Sequence, residues 1–146
     1  MNNYLRLFIF AFLALLMQPP LWAQQNPPPC SEMKYEHRNM IDYGPLRISV
    51  IRGSANDIQG FVVPNACVGV FSEMDHKLIA TGEAGSDGVF EIRNVPNGRY
   101  RLIVACDSFC AANVSIILRN RSRGKKRLVA MMKPRGIDVC SFVEWK

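Results

Sequence analysis

The sequence predicts an all-β sandwich of about seven or eight short strands. Between Gly53 and Val104, apolar residues recur at every second position, and turn-forming residues separate these runs. A two-residue period places each apolar set on one face of a strand. Short strands at intervals of about 8–12 residues, with turn signals between them, are typical of a β-sandwich. The predicted inward sets are Ala66, Val68 and Val70; Phe90 and Ile92; and Tyr100, Leu102 and Val104.

The individual strands are predicted from the same alternation and from the turns that bound it. The first runs from Leu46 to Gly53, where Leu46, Ile48 and Val50 alternate with their neighbours and should share one face. Asp87-Gly88 is a hairpin signal, because glycine adopts positive φ without a steric penalty. The predicted strands cover residues 46–53, 66–71, 77–82, 89–93, 99–105, 112–118, 126–132 and 137–145.

The N-terminal region is predicted to be an export signal followed by an extended leader. Arg6 precedes an apolar run from Leu7 to Met17, and Ala23 is a small residue at the predicted cleavage point. This order is that of a secretory signal peptide, residues 1–23. An uncleaved membrane anchor is the alternative, although the run is shorter than the ~20 residues that a spanning helix needs. Residues 24–45 are rich in proline and polar residues and predict a leader that lies on the domain or stays mobile.

Composition indicates one small, moderately basic domain. The 146-residue chain has a net charge of +6, and removal of the signal peptide takes away Arg6 and no acidic residue. The remaining ~123 residues have the size of a single domain. The charge is well below that of a typical nucleic-acid-binding surface, so we expect no nucleic acid partner.

The five cysteines predict disulfides in an exported chain. Such bridges stabilise small domains by roughly 2–4 kcal/mol each. The spacings lack the paired C-x-x-C sets of a structural zinc site. We favour bridges within the set Cys30, Cys106, Cys110 and Cys140, and we interpret Cys67 as a small outward or edge residue of its strand. An odd number leaves at least one thiol unbridged within the chain.

An ordered series of turns and strands resembles a known family. The first part of the series is Gly53, Ala55, Asp57, Gly60, Val63-Pro64-Asn65-Ala66, Val68 and Val70; the second is Thr81, Asp87-Gly88, Phe90, Ile92, Val95-Pro96, Gly98, Tyr100, Leu102 and Val104. Over residues 46–132 the chain resembles carboxypeptidase regulatory-like domains, which are transthyretin-like (prealbumin-like) Greek-key sandwiches similar to the B-type repeats of collagen adhesins. The resemblance implies that residues 46–146 form a non-catalytic stalk, docking or carbohydrate-contact domain without a cofactor. The chain departs from the family pattern after Val104, where Cys106 and Cys110 occupy a loop.

The residue types that form catalytic sites in enzymes do not occur in this sequence in a pattern that predicts such a site. The two histidines, His37 and His76, fall in the leader and in a connection, without the carboxylate spacing of a zinc helix. Asp75 and His76 are sequence neighbours, and neighbours on an extended chain point to opposite faces. We therefore expect no enzyme. A small hydrolase is the remaining alternative, and it requires a pocket that gathers a histidine, a carboxylate and a nucleophile.

Two loops after the alternating region are the candidates for function. Cys106 to Cys110 lacks the C-x-x-C spacing of a redox motif and is interpreted as a pinned loop or as the origin of two bridges. The second loop is strongly basic and is either an anion-binding patch or a solubilising hairpin loop. Its cations are Arg119, Arg121, Arg123, Lys125, Lys126 and Arg127.

The predicted function is that of an exported module, for which a bacterial envelope is the expected setting. We expect a non-enzymatic role in protein interaction or as an envelope accessory, with a protein or glycan partner. Sandwich edges and end loops would supply the contact surface. The alternative is binding of carbohydrate or anionic glycan through the basic loop and exposed aromatic residues. Membrane contact is expected only through the signal peptide or the basic loop.

Overall fold

A computed structural model describes residues 30–35, 44–120, 127–136 and 142–145. Within these ranges the chain forms nine strands, and none of their residues belongs to a helix long and apolar enough to cross a membrane. The predicted signal peptide lies outside the described residues. The strands are β1 Leu46–Ile48, β2 Ile51–Asp57, β3 Cys67–Ser72, β4 Leu78–Glu83, β5 Val89–Ile92, β6 Gly98–Ala105, β7 Ala112–Leu118, β8 Leu128–Met132 and β9 Phe142–Trp145.

The strands form two sheets, and the prediction of an all-β sandwich is confirmed. One sheet has five strands in the order β1-β7-β6-β3-β4, and the other has four in the order β5-β2-β8-β9. Two pairings are parallel, β1 with β7 and β2 with β8, and the rest are antiparallel. The two parallel pairings link the beginning of the domain to its later strands.

The alternating apolar residues fill the space between the sheets. Every predicted inward residue is at most 8 % exposed, and all of them belong to one core cluster. Burial of a large apolar side chain stabilises a fold by about 1.5–3 kcal/mol, so this cluster is the main source of stability. The predicted inward sets are therefore confirmed: Ala66, Val68, Val70, Phe90, Ile92, Tyr100, Leu102 and Val104.

The predicted first strand is divided between the two sheets. Ile48 and Ile51 are both buried, whereas Val50 is 43 % exposed, so the expectation that Val50 shares the core face is wrong. Two buried residues three positions apart break the two-residue period. The chain bends at residues 49–50 and passes from β1 in the five-stranded sheet to β2 in the four-stranded sheet. Because the predicted strand at residues 46–53 forms both β1 and β2, the described residues contain one more strand than the seven or eight predicted.

The described part of the leader lies on the outer face of the five-stranded sheet. Cys30 begins a short 3-10 turn, Cys30–Glu32, and forms a disulfide with Cys67 of β3. Further along the same face, a Cβ on Gly69 would meet the Met33 sulfur at 3.1 Å, and the Tyr35 ring packs edge-on against Phe71 at 5.6 Å. Of the interpretation of Cys67 as a small outward or edge residue, the outward orientation agrees with this placement, but β3 is not an edge strand and the Cys67 sulfur anchors the leader.

Candidate functional site

The predicted cysteine set separates into one bridged residue, two loop residues and one outside the described ranges. Cys30 is bridged, but its partner Cys67 lies outside the favoured set. Cys106 forms no disulfide within the described part of the chain. Burial, and then the neighbouring Asp107 carboxylate, raise the pKa of the Cys106 thiol. Cys140 lies outside the described residues.

The loop that contains Cys106 and Cys110 is held by the segment after β8. The Cys110 amide donates to the Lys133 carbonyl at 2.8 Å, and the Arg135 amide donates to the Ser108 carbonyl at 2.9 Å. The Arg135 side chain adds a bond from its Nε to the Phe109 carbonyl at 3.1 Å. These contacts form a short backbone pairing that holds the loop against the segment after β8.

The described ends of the basic loop follow β7 in one sheet and precede β8 in the other. Arg119 and Arg127, its first and last cations, are both exposed, and the Arg119 amide donates to the Ile48 carbonyl at 3.0 Å. The register of β6 with β7 and of β3 with β6 places this loop at the same end as the β3–β4 turn. The remaining predicted cations lie outside the described residues: Arg121, Arg123, Lys125 and Lys126.

The β3–β4 turn carries the one described histidine, and its contacts are structural. The His76 ring stacks on Tyr35 with 4.0 Å between ring centroids. The neighbouring Asp75 carboxylate lies 3.3 Å from the Lys77 ammonium. A side-chain hydrogen bond from Ser72 is the largest cause that holds the pKa of Asp75 below its ordinary value. The hydrogen bonds and charge of Lys77 lower that pKa further. His37 lies outside the described residues, and no metal-binding group of three His, Cys, Asp or Glu occurs within the described ranges.

A rigid turn after β2 presents apolar side chains to solvent. The Asp57 carboxylate accepts hydrogen bonds from the amides of Gln59 and Phe61, each at 2.8 Å. The Asp57 amide in turn donates to the Phe61 carbonyl at 2.7 Å. Ile58 and Phe61 are 47 % and 68 % exposed. A carboxylate that binds two amides of its own turn fixes the conformation of that turn.

Two valines extend this apolar surface toward the start of β5. Val62 forms an isolated bridge with Asn56, and it packs against Gly88, where an added Cβ would meet the Val62 Cβ at 3.2 Å. Val89 follows Gly88, and Val62 and Val89 are 50 % and 45 % exposed. We name the four residues Ile58, Phe61, Val62 and Val89 the apolar end.

Three arginines line the outer face of the five-stranded sheet. Arg47 of β1 and Arg99 of β6 both lie opposite Ile117 of β7, and Arg101 follows Arg99 on the same face, opposite Ser115. Their strand neighbours Ile48, Tyr100 and Leu102 belong to the core, so the arginines point away from it. We name Arg47, Arg99 and Arg101 the arginine face.

The outer face of the four-stranded sheet also carries arginines, but a carboxylate accompanies them. The Arg93 guanidinium donates to Glu91 at 2.7 Å, and Arg52 of β2 lies opposite Glu91 in the register. The hydrogen bond and charge of Arg93 hold the pKa of Glu91 below its ordinary value. The positive charge on this face is therefore offset locally.

Sequence reasoning did not identify the apolar end or the arginine face. The alternation of Arg99 and Arg101 with Tyr100 and Leu102 does place both arginines away from the core. Their alignment with Arg47 depends on the parallel pairing of β1 with β7, which no local pattern reveals.

No known family model matches the chain, and no curated protein sequence is similar to it.

Proposed function

We propose that the protein is an exported, non-enzymatic interaction module whose contact surface is the apolar end. The observation that carries the proposal is the exposed Phe61 on a turn fixed by the Asp57 carboxylate. A large apolar side chain in water gives up the free energy that burial would supply. When such side chains stand together on a rigid turn, they offer a preorganised contact for a partner.

The fold supports a binding role at this position. Residues of the apolar end come from the β2–β3 connection and the start of β5, which a sandwich places together at one end. Loops held by a rigid scaffold are frequent contact surfaces. Aromatic residues contribute most to such contacts, because they bury a large area with few rotatable bonds. We infer a protein partner that buries the Phe61 ring.

The exported location and the family belong to the same proposal. A Cys30–Cys67 disulfide is typical of an oxidising compartment, and it supports export through the predicted signal peptide. The order of turns and inward residues favours a carboxypeptidase regulatory-like, transthyretin-like domain. A module in a bacterial envelope fits both features.

The experiment is affinity capture by the oxidised mature chain from its native envelope. We expect wild type to retain a specific envelope protein and Phe61→Ser to lose it. Met74→Ser is the matched control, because Met74 is 96 % exposed in the β3–β4 turn at the opposite end of the sandwich. Capture that survives Phe61→Ser, or that Met74→Ser abolishes equally, would contradict the assignment of the apolar end.

A second candidate function, binding of an anionic glycan, is favoured by the exposed cations at the other end. Arg119 and Arg127 flank the basic loop and both face solvent. Among the exposed large hydrophobic side chains of the described residues, only Phe61 is aromatic, so this candidate depends on charge more than on ring stacking. Replacement of Arg121, Arg123, Lys125 and Lys126 by serine should abolish salt-sensitive glycan binding, and unchanged binding would contradict a role for the loop.

A further inference from the structure

The arginine face places three positively charged side chains on one face of the five-stranded sheet. Arg47 and Arg99 are separated by one intervening strand, which places their Cα atoms about 10 Å apart. Arg101 is two residues from Arg99 on the same strand, about 7 Å away. Ile117, 7 % exposed, lies between Arg47 and Arg99 and forms the apolar floor of the row.

No carboxylate of the described residues lies within ion-pair distance of these three guanidinium groups. The amide of Glu73, the acidic residue directly after β3, donates to the Arg99 carbonyl at 3.5 Å, and the ion pairs of the described residues do not include the Glu73 carboxylate. Arg101 makes one long side-chain hydrogen bond, from Nη1 to the Asn113 Oδ1 at 3.5 Å. Its Nε is buried and has no hydrogen-bond partner among the described residues. A half-buried guanidinium with so few partners is a costly arrangement for stability alone.

The spacing of the three arginines favours some classes of anionic ligand over others. Guanidinium groups bind sulfate and carboxylate oxygens in a bidentate manner. Because the three arginines are spread over strand-scale distances of about 7 and 10 Å, they match charges repeated along a chain better than they match one small anion. Three apolar residues of this face, Phe71, Ile103 and Ile117, are buried and do not offer their side chains to a bilayer. Contact of these residues with a membrane surface would therefore depend on charge.

We propose that the arginine face binds a linear polyanionic polysaccharide that carries sulfate or carboxylate groups. Arg47 and Arg99 contact successive anionic groups across Ile117, and the exposed part of Arg101 extends the contact along β6. The proposal deepens the glycan-binding candidate above, since it moves the site from the basic loop to the sheet face. It is independent of the apolar end.

The test is elution of the oxidised mature chain from immobilised heparin in a sodium chloride gradient, with fluorescence titration for affinity. We expect Arg47→Ser/Arg99→Ser to bind about tenfold more weakly, from two exposed charge contacts. The matched control is Arg52→Ser/Arg93→Ser, which removes the same charge from the other sheet and should stay close to wild type. Arg47→Lys/Arg99→Lys should recover part of the lost heparin affinity, because lysine keeps the positive charge but lacks the paired N–H donors of the guanidinium group. Thermal unfolding identifies any variant whose fold is lost.

Each other outcome overturns the proposal in a distinguishable way. Equal losses in the two serine pairs show that net charge, and not the arginine face, governs binding. If the basic-loop variant loses binding and Arg47→Ser/Arg99→Ser keeps it, the glycan function stands and the sheet-face site is wrong. If the wild-type chain is not retained on heparin, both the glycan-binding function and the sheet-face site are wrong. Retention only by vesicles that contain 30 % phosphatidylglycerol would assign the face to a membrane surface instead.

Discussion

The outer faces of the two sheets carry the same residue type in opposite electrostatic settings. On the four-stranded sheet, Arg93 lies 2.7 Å from Glu91, and Arg52 is opposite the same carboxylate. On the five-stranded sheet, Arg47 and Arg99 form no ion pair with any described carboxylate. An exposed pair such as Arg93–Glu91 adds little to stability but lowers the local positive potential. An arginine without an acidic neighbour keeps its full charge available to a ligand.

The five-stranded sheet differs also in what covers it. The described part of the leader lies over β3, with Met33 near Gly69 and Tyr35 on Phe71, while the arginine face occupies β1 and β6. One sheet face therefore divides into a covered apolar half and a charged half. Position on the sheet, more than residue type, decides which side chains are available for binding.

The largest expected effect concerns the disulfide that holds the leader on the covered half. Cys67→Ser should lower the free energy of unfolding by about 4 kcal/mol, the chain-entropy estimate for a bridge that closes 37 residues. The measurement is urea unfolding of the oxidised chain, with a shifted midpoint and a similar slope. Cys30→Ser should show the same loss, and the double variant should show no further one. Additive losses would contradict a single Cys30–Cys67 bridge.

A smaller effect is expected from removal of the carboxylate that offsets the four-stranded face. In the Arg47→Ser/Arg99→Ser background, Glu91→Gln should restore part of the heparin affinity, a few-fold, because it leaves Arg52 and Arg93 without their acidic neighbour. The measurement is the salt concentration at elution. Glu83→Gln is the control of equal charge change, since Glu83 lies opposite Cys67 and forms no ion pair within the described residues. Equal gains from both changes would show that net charge alone matters.

The Arg93–Glu91 ion pair also determines how the effect of Glu91→Gln on heparin elution depends on pH. Arg93 lowers the pKa of Glu91 below its ordinary value, so the carboxylate stays ionised as the pH falls from 7 to 5. Its offsetting charge is present above the ordinary pKa and is lost as the pH falls through the lowered one. Glu91→Gln should therefore raise the elution salt by the same amount at pH 7 and pH 5. A difference that disappears at pH 5 would contradict the pairing.

Local patterns predicted the strands and the core but not the connections between them. The two-residue period of Val68 and Val70, or of Leu102 and Val104, reflects each strand's own two faces, and it can be read without knowledge of the fold. The division of residues 46–53 was missed because Val50 and Ile51 are both apolar, so their alternation does not reveal which one turns inward. The structure decides this by sending β2 to the second sheet.

The candidate sites depend on residues far apart in sequence. The Cys30–Cys67 bridge crosses 37 residues, and the spacing of cysteines does not determine their pairing. The alignment of Arg47 with Arg99 requires β1 to pair with β7 in parallel, a contact between the two ends of the domain. The exposure of Phe61 depends on how the loop after β2 returns along that strand, through the bridge between Asn56 and Val62.

Nuclear magnetic resonance of the ¹⁵N-labelled mature chain, titrated with a heparin hexasaccharide, tests most directly whether the arginine face is the binding face. We predict that backbone amide signals of residues 46–48, 99–101 and 115–117 shift, because these three strand segments carry and border the arginine face. The signals of residues 52–54 and 89–93 should stay in place, since Glu91 offsets the arginines there. Shifts concentrated in that second group, or equal in both, would contradict the account.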